Sequence, residues 1–503
     1  MPALGRAAKI GSAWALLQSF SSKLASLAAQ VLLARLLLPA EMGLAGKALS
    51  VHGLFLFFNP AIMGDVLIQR KATLDRDARP AFWIVLALSL VTGAAILASG
   101  PIFATWYGDS VMIGLLAVLA LRPLGLALQA VPTARLRLGF RFGAISSWSI
   151  WMAVGTAALT VLLAWFGWGP YAITVPAVAL LFVMAAAYQR LAPTGVGLTP
   201  SFIGGKPILR EWTTLCSGQY AHTVSLYVDY LILGFFATDA EVGFYFFAFN
   251  LSGQLNGIIV YNISLVLQPV FAMLRDDPVR QVRAFLRAVS TISAVSMPLC
   301  LVQAALAEPG LRLIFGERWM PAATMLTLLS VAQAFAFPIG PTTALLKSQQ
   351  RFRAYFVWQA IQTALMIPTI AIAAWWGTRD GSATNTAGNL VACVILVQFM
   401  LSAPLGLWYA IRVGEGTFRD AMRPFTRPFL ASVVVIAPLW WASWALPTTI
   451  AWDVARLGVI PLVTLLVYPF ALRFVDRDVY DTLRENLGSA FRRLGRSKRR
   501  TSL

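Results

Sequence analysis

The chain has 503 residues, of which 58% are hydrophobic and only 12% charged, with a formal net charge of +19. Soluble globular domains carry roughly 25% charged residues, so this balance excludes an ordinary water-soluble protein and makes lipid the main solvent. It also excludes nucleic-acid binding, because the basic residues form no single patch but sit in short segments between apolar runs.

Apolar runs of about 20 residues recur along the whole chain, the length needed to cross ~30 Å of hydrocarbon at 1.5 Å per residue. In lipid every backbone polar group must be paired within its own segment, so the runs are expected to be helices. A barrel would show ~10-residue alternating segments instead. In chain order the expected spans are 12–38, 42–68, 81–104, 110–131, 143–166, 171–188, 212–236, 242–268, 284–307, 320–346, 354–376, 388–411, 429–446 and 454–473. The first starts near Ser12 without a small-residue cleavage site after a short core, and reads as a retained span rather than a signal peptide. The pair 143–166 and 171–188 is divided only by the uncharged turn Gly167-Trp168-Gly169-Pro170. Cys216, Cys300 and Cys393 each stand alone in an apolar run, so neither a disulfide framework nor a zinc site is expected, and no cofactor.

Orientation follows from the loops. The N-terminus, 69–80, 132–142, 189–211, 270–287, 347–353, 412–427 and the tail 473–503 hold 32 of the 40 Lys and Arg. The intervening loops hold only Arg312, Arg318 and Arg379, with Arg456 at a span edge. The positive side is cytoplasmic, which predicts an even number of spans, both termini in the cytoplasm and a bacterial inner membrane. After Arg473, the residues Val475, Val479, Leu483, Leu487, Phe491 and Leu494 share one helical face, followed by Arg496, Lys498, Arg499 and Arg500. This tail, 474–503, reads either as an amphipathic helix on anionic membrane lipids or as a solvated basic segment.

The chain also resembles itself. Leu33, Ala40, Glu41, Gly43, Ala48 and Gly53 match Leu233, Ala240, Glu241, Gly243, Ala248 and Gly253 at an offset of 200. Pro132-Thr133, Leu136 and Arg141-Phe142 are echoed by Pro341-Thr342, Leu345 and Arg351-Phe352. The repeat unit is six spans, so both halves enter the membrane in the same sense. The expected fold is an all-α polytopic membrane protein of about 14 transmembrane helices, with two six-helix bundles related by an axis along the membrane normal and two peripheral helices. The corresponding segments are an N-terminal lobe at 1–190, a cytoplasmic linker at 191–211, a C-terminal lobe at 212–412 and two additional helices at 413–473. Duplicated bundles of this kind usually rock around a central cavity, which points to transport.

Ionisable groups within spans cost at least ~2.5 kcal/mol each and persist where they face a cavity or a partner. Lys23 is central in the first span, Arg122 in the fourth and His222 in the seventh; His52 lies mid-way along the second, with Lys47 toward its periplasmic end. With Arg35, the cations Lys23, Lys47 and Arg122 are candidates for a cationic cavity that takes an anionic headgroup. His222 and Asp229, seven residues apart, fall on one face of a continuous helix and, with His52, are candidates for ion coupling. The alternatives are that Lys47 and Arg35 snorkel to an interface and that His222 is hydrogen-bonded between helices.

The run Leu33-Ala34-Arg35-Leu36-Leu37 with Pro39, Glu41 and Gly43 resembles the first-span signature of the polysaccharide transporter (Wzx-like) flippases, which share a superfamily with lipid II flippases and MATE exporters. Leu67-Ile68-Gln69, Asp229 with Leu233-Gly234, Glu241 with Gly243 and Tyr245, and Phe315-Gly316 with Trp319 extend the resemblance over residues 10 to 360. The exopolysaccharide, colanic-acid-type branch is the most similar. The resemblance implies alternating-access flipping of an undecaprenyl-pyrophosphate-linked glycan from the cytoplasmic to the periplasmic leaflet, for exopolysaccharide, O-antigen or capsule assembly. Cationic lumen residues would meet the pyrophosphate, and an ion gradient would drive the return. The polymerase and chain-length regulator of the same pathway are candidate protein partners. Arg135-Leu136-Arg137-Leu138-Gly139-Phe140 departs from the acidic-basic form that the family shows after the fourth span.

Two alternatives compete with this reading. A membrane glycosyltransferase or polymerase would need a sizeable extramembrane region with carboxylates, whereas the longest periplasmic loops here are about a dozen residues and no phosphate loop, metal cluster or nucleophile triad is present. A lipid II flippase or a MATE-like cation exporter of the same fold is the other. Cation export favours acidic cavity groups, while the first half holds Lys23, Lys47 and Arg122, with Asp65 near the cytoplasmic end.

Overall fold

The computed structural model describes residues 2–197, 199–349, 351–379, 386–412 and 415–485. It is 88% helix, with no strand among the described residues. The helices are α1 (Pro2–Leu36), α2 (Pro39–Leu54), α3 (Pro60–Gln69), α4 (Leu74–Tyr107), α5 (Val111–Ala120), α6 (Arg122–Leu138), α7 (Phe142–Trp165), α8 (Tyr171–Leu191), α9 (Gly205–Ser225), α10 (Val228–Phe236), α11 (Asp239–Met273), α12 (Pro278–Ala305), α13 (Ala307–Gly310), α14 (Ala323–Ala336), α15 (Gly340–Ser348), α16 (Phe352–Arg379), α17 (Thr386–Ile411), α18 (Phe418–Trp444) and α19 (Ile450–Val475).

Among the described residues, 10 helical segments are long and apolar enough to cross a membrane. They coincide with expected spans three to six and nine to fourteen. The four expected spans outside this set, 12–38, 42–68, 212–236 and 242–268, coincide with α1, α2 with α3, α9 with α10, and α11. Of these, α1 carries Ser21, Ser22, Lys23, Ser26 and Gln30, and the pairs α2 with α3 and α9 with α10 are broken between their helices. Helix α2 stops at Leu54; Asn59 then caps α3 by accepting from the Ala61 N–H, with Pro60 in the first helical position. Helix α9 adds donors to the carbonyls at this break, with Tyr220 Oη donating to Leu54 O at 2.6 Å and Trp212 Nε1 to Asn59 O at 3.2 Å.

The chain packs as two compact units, Met1–Phe247 with Gln359–Val391, and Ala248–Trp358 with Ala392–Leu503. In the first unit α1 lies along α7, α3 packs on α6, and α4 packs on α5, α6 and α9. The expected linker and lobe boundary at 190–212 fall inside this unit. The reason is that Ile208, Trp212 and Cys216 of α9 are buried in one core with Met63, Leu67, Val85 and Val131. A second core joins Val51, Ile96, Leu115 and Leu119.

In the second unit α12 packs on α14 and α18, around Phe271, Phe285, Met297, Leu407 and Phe425. The turn between α18 and α19 is closed by charge. Buried Asp453 accepts from Arg312 Nη1 at 2.9 Å and Arg456 Nη1 at 2.7 Å, and Arg456 Nη2 donates to Ser443 O and Leu446 O. Gly316 adopts φ +99°, a left-handed conformation suited to glycine, and lets Phe315 and Trp319 bury around it. That motif is therefore a turn and its packing. The tail is helical over 477–485, where Val479 packs with Ala294, Ala431, Tyr468 and Leu472, and Val475 and Leu483 lie against the same cluster. The rest of the expected amphipathic face, Leu487, Phe491 and Leu494, and the basic residues after it lie outside the described residues.

Candidate functional site

Two of the expected polar residues of the first unit, Lys47 and His52, stand on α2. Its sequence, PAEMGLAGKALSVHGL, is rich in glycine and alanine, and small residues let helices approach closely. Gly46 faces the Phe246 ring and Gly53 the Tyr227 ring, where an added Cβ would lie 2.9 and 2.5 Å from the nearest atoms. The tightest approach joins the two matched positions of the sequence repeat. A Cβ on Gly43 would lie 1.9 Å from Asp239 O, and a Cβ on Gly243 would lie 1.8 Å from Pro39 O. Since Pro39 and Asp239 are also matched at the offset of 200, the starts of α2 and α11 meet through equivalent atoms. The matched glutamates serve different contacts: Glu41 Oε2 caps its own helix by accepting from Leu38 N, whereas Glu241 Oε1 accepts from the distant Gly388 N at 2.7 Å.

Just below this crossing, Lys47 is buried. Its Nζ lies 2.6 Å from Asp239 Oδ1 and 4.9 Å from the centre of the Tyr107 ring. The Tyr107 hydroxyl reaches Leu231 O at 3.3 Å, and its ring packs on Phe235. The Lys47 charge is thus neutralised by an acid 192 residues away, rather than facing an open cavity or snorkelling to an interface. The sequence reading missed Asp239. The signal was present, because Asp239 opens the repeated block that carries Glu241 and Gly243.

Two further cations lack such an acid. Lys23 is half-buried in α1, and Arg122 is half-buried at the first position of α6. Neither forms a hydrogen bond or ion pair among the described residues. Arg122 stands at a break in the fourth expected span, where α5 ends at Ala120 and Pro123 starts the next helix. It is close enough for its charge to act on His52 of α2. His52 is buried, and neither ring nitrogen has a hydrogen-bond partner among the described residues. Arg35 is exposed in the last turn of α1, a position that favours a cation by the helix dipole.

The expected pairing of His222 with Asp229 on one helix face is corrected by the structure. His222 ends α9 as an exposed residue, the helix breaks at Leu226-Tyr227, and Asp229 starts α10. Asp229 is buried, with Oδ2 accepting from Tyr245 Oη at 2.8 Å and Oδ1 from Tyr230 N at 2.9 Å. The acid therefore belongs with two tyrosines, whose rings meet edge-on at 5.5 Å. The residues on either side of His222 hold α9 to α16: Thr363 Oγ1 donates to Ala221 O, and Gln359 Nε2 to Ser225 Oγ.

On the basic side of the first unit, Arg70 binds Asp77 at 2.7 Å and Glu211 at 2.8 Å, and its guanidinium holds the Glu211 carboxyl below the usual range. Arg137 pairs with Asp65 at 2.9 Å. Arg135, Arg141 and Arg79 donate to the carbonyls of Pro193, Leu191 and Thr199. The arginines of the divergent motif after the fourth span thus carry structural contacts.

A family model described as polysaccharide biosynthesis protein matches residues 32–324. The chain belongs to this family. Among relatives of this family member, the succinoglycan biosynthesis transport protein ExoT of Rhizobium meliloti (strain 1021) is 22% identical over 413 residues, covering 80% of each chain. The teichuronic acid biosynthesis protein TuaB of Bacillus subtilis (strain 168) is 22% identical, covering 72% of this chain and 74% of its own. The lipopolysaccharide biosynthesis protein WzxC of Escherichia coli (strain K12) is 24% identical, covering 74% and 76%. In fold the family member is similar to the lipid II flippase MurJ in an inward closed conformation, with a TM-score of 0.72 at 12% identity over 92% of this chain and 98% of that one. It is also similar to an inward-facing multidrug resistance MATE transporter of the MOP superfamily, with a TM-score of 0.52 at 15% identity over 80% and 94%. The polysaccharide biosynthesis family member is thus a multi-pass helical membrane protein with the fold seen in MurJ and the MATE transporter.

Proposed function

We propose that the protein flips a polyprenyl-pyrophosphate-linked oligosaccharide repeat unit from the cytoplasmic to the periplasmic leaflet of a bacterial inner membrane, by alternating access. Family membership supports a polysaccharide pathway, and the succinoglycan transport protein among its relatives supports transport within it. The observation that carries the anionic headgroup is the placement of Arg122. A half-buried guanidinium with no acid partner among the described residues sits at a helix break inside an expected span, and its charge acts on His52 of α2, a buried imidazole whose nitrogens have no hydrogen-bond partner among the described residues. Coulomb attraction for a unit negative charge at 4 Å is ~4 kcal/mol at an effective dielectric of about 20, before desolvation, and a guanidinium matches phosphate with two parallel donors. Lys23 supplies a second cation. Fourteen spans, two bundles of six, cytoplasmic termini and the lobe boundaries at 190 and 412 complete the proposed topology, and Asp229 with His52 and His222 is the proposed coupling set.

The experiment is polymer export in cells lacking their own flippase. The intact chain is expected to restore surface polysaccharide. Continued accumulation of the lipid-linked repeat unit, with the protein present in the membrane, would contradict the proposal.

A further inference from the structure

We propose that a cleft at the start of α16 is a binding site for the pyrophosphate headgroup of the polyprenyl carrier, separate from the Arg122 region; this rests on the flippase reading above. The cleft has a volume of about 360 Å³ and lies wholly within the second unit, lined by Arg351, Arg353, Ala354, Val357 and Tyr409. Two guanidiniums face one space, and among the described residues no carboxylate lines it.

Arg351 is the informative residue. Its guanidinium lies 5.6 Å from the centre of the Tyr409 ring, and its Nη1 is buried without a hydrogen-bond partner among the described residues. A buried donor with nothing to donate to carries an uncompensated desolvation penalty, which a phosphate oxygen would remove. The repeat sharpens the point. Arg141-Phe142 matches Arg351-Phe352, and Arg141 is spent on a fold contact, donating to Leu191 O at 2.8 Å. The matched arginine of the second half holds no such contact. The cleft also borders the first turn of α16, where backbone N–H groups lack intrahelical acceptors and favour an anion.

The surroundings select a lipid-borne anion over a free one. Tyr409 ends a series on α17 at every fourth residue, Val397, Leu401, Leu405 and Tyr409, which occupies one helix face. Val397, Leu401 and Leu405 are 49%, 63% and 42% exposed, and Val357 on the α16 wall is 40% exposed. The cationic cleft therefore opens onto an uncovered apolar stripe. A free anion needs only the arginines, whereas a headgroup with a hydrocarbon chain uses both. The basic segment 347–353 belongs to the positively charged loops expected in the cytoplasm, the leaflet where the carrier is loaded.

The test uses the full chain in nanodiscs of phosphatidylethanolamine and phosphatidylglycerol, with labelled undecaprenyl pyrophosphate as probe and unlabelled inorganic pyrophosphate as competitor. The double substitution Arg351→Gln, Arg353→Gln is expected to weaken binding about tenfold or more, as loss of two charge-assisted contacts implies. Arg353→Glu, at an exposed position, is expected to weaken it severalfold while leaving the melting temperature unchanged. Arg419→Gln, an exposed arginine on the same basic side, is expected to have no effect. Inorganic pyrophosphate is expected to compete weakly, because it lacks the chain. Unchanged affinity in Arg353→Glu and in the double variant would overturn the assignment. So would an equal loss in Arg419→Gln, which indicates general surface charge, or equal displacement by excess phosphatidylglycerol, which assigns the cleft to bulk phospholipid. If the unsubstituted protein binds the carrier and exports polymer while the variants bind normally, only the cleft is refuted. If the unsubstituted protein binds no carrier, the flippase reading falls with it.

Discussion

Replacement of Gly43 by alanine tests the contact that organises the first unit. The new Cβ would lie 1.9 Å from Asp239 O, 2.8 Å from Asp239 C and 2.9 Å from Gly243 N. All three are backbone atoms, so no side-chain rotation relieves the clash. Ordinary contact begins near 3.4 Å, so α2 and α11 must part locally by ~1.5 Å, and overpacking of this kind typically costs about 1–3 kcal/mol. Alanine recovers roughly 1 kcal/mol of helix propensity over glycine, leaving a net loss of up to about 2 kcal/mol. Gly310 and Gly458 meet nothing within 4 Å, so alanine there is neutral or stabilising. The assay is thermal unfolding of purified protein in detergent. Gly43→Ala and Gly243→Ala are each expected to melt below the unsubstituted protein, and Gly310→Ala at or above it. Because one displacement relieves both clashes, the double variant is expected to lose less than the sum of the two. A Gly43→Ala protein that melts at or above the Gly310→Ala control would refute the close contact.

Three further outcomes follow from the site. Lys47→Ala leaves Asp239 without its cation and is expected to destabilise by a few kcal/mol, with Asp239→Asn on the same background restoring much of the loss in the same unfolding assay; equal stability of Lys47→Ala and the unsubstituted chain would contradict the pair. Arg122→Ala is expected to abolish polymer export, Arg122→Lys to restore it in part and Lys23→Arg to be tolerated, measured at equal membrane abundance; normal export by both Lys23→Ala and Arg122→Ala would remove the cationic headgroup site. Asp229→Asn, which keeps the shape that Tyr245 Oη contacts, is expected to abolish gradient-driven uptake in vesicles without loss of folding, and undiminished uptake would take Asp229 out of coupling.

The fold was legible wherever hydropathy is dense. Spans from α4 to α8 and from α12 to α19 announce themselves because their residues are apolar through long stretches. Hydropathy does not foretell the breaks between α2 and α3 or between α9 and α10, and α1 is polar over 21–30. Nothing at Leu226-Tyr227 marks a helix stop, since neither glycine nor proline stands there; the break is a packing event, with Tyr227 seated on Gly53. That is why His222 and Asp229 look like neighbours on one face and are not. Lys47 looks unpaired because its acid lies beyond the tenth helix in the chain, a contact that spacing along α2 does not show. The repeat did carry three-dimensional information. Gly43 and Gly243, matched only by offset, prove to touch. The Arg351 cleft was legible only as a basic loop, because its content depends on α17 delivering Tyr409.

The central claim is translocation of a lipid-linked glycan, and the most direct measurement is made in proteoliposomes. A fluorescent undecaprenyl-pyrophosphate-linked oligosaccharide is incorporated with the purified protein, and a membrane-impermeant quencher reports the fraction in the outer leaflet over time. The account predicts exchange between leaflets that depends on the protein and is lost in Arg122→Ala. Quenching that halts at the initial outer-leaflet fraction with the unsubstituted protein correctly inserted would contradict it.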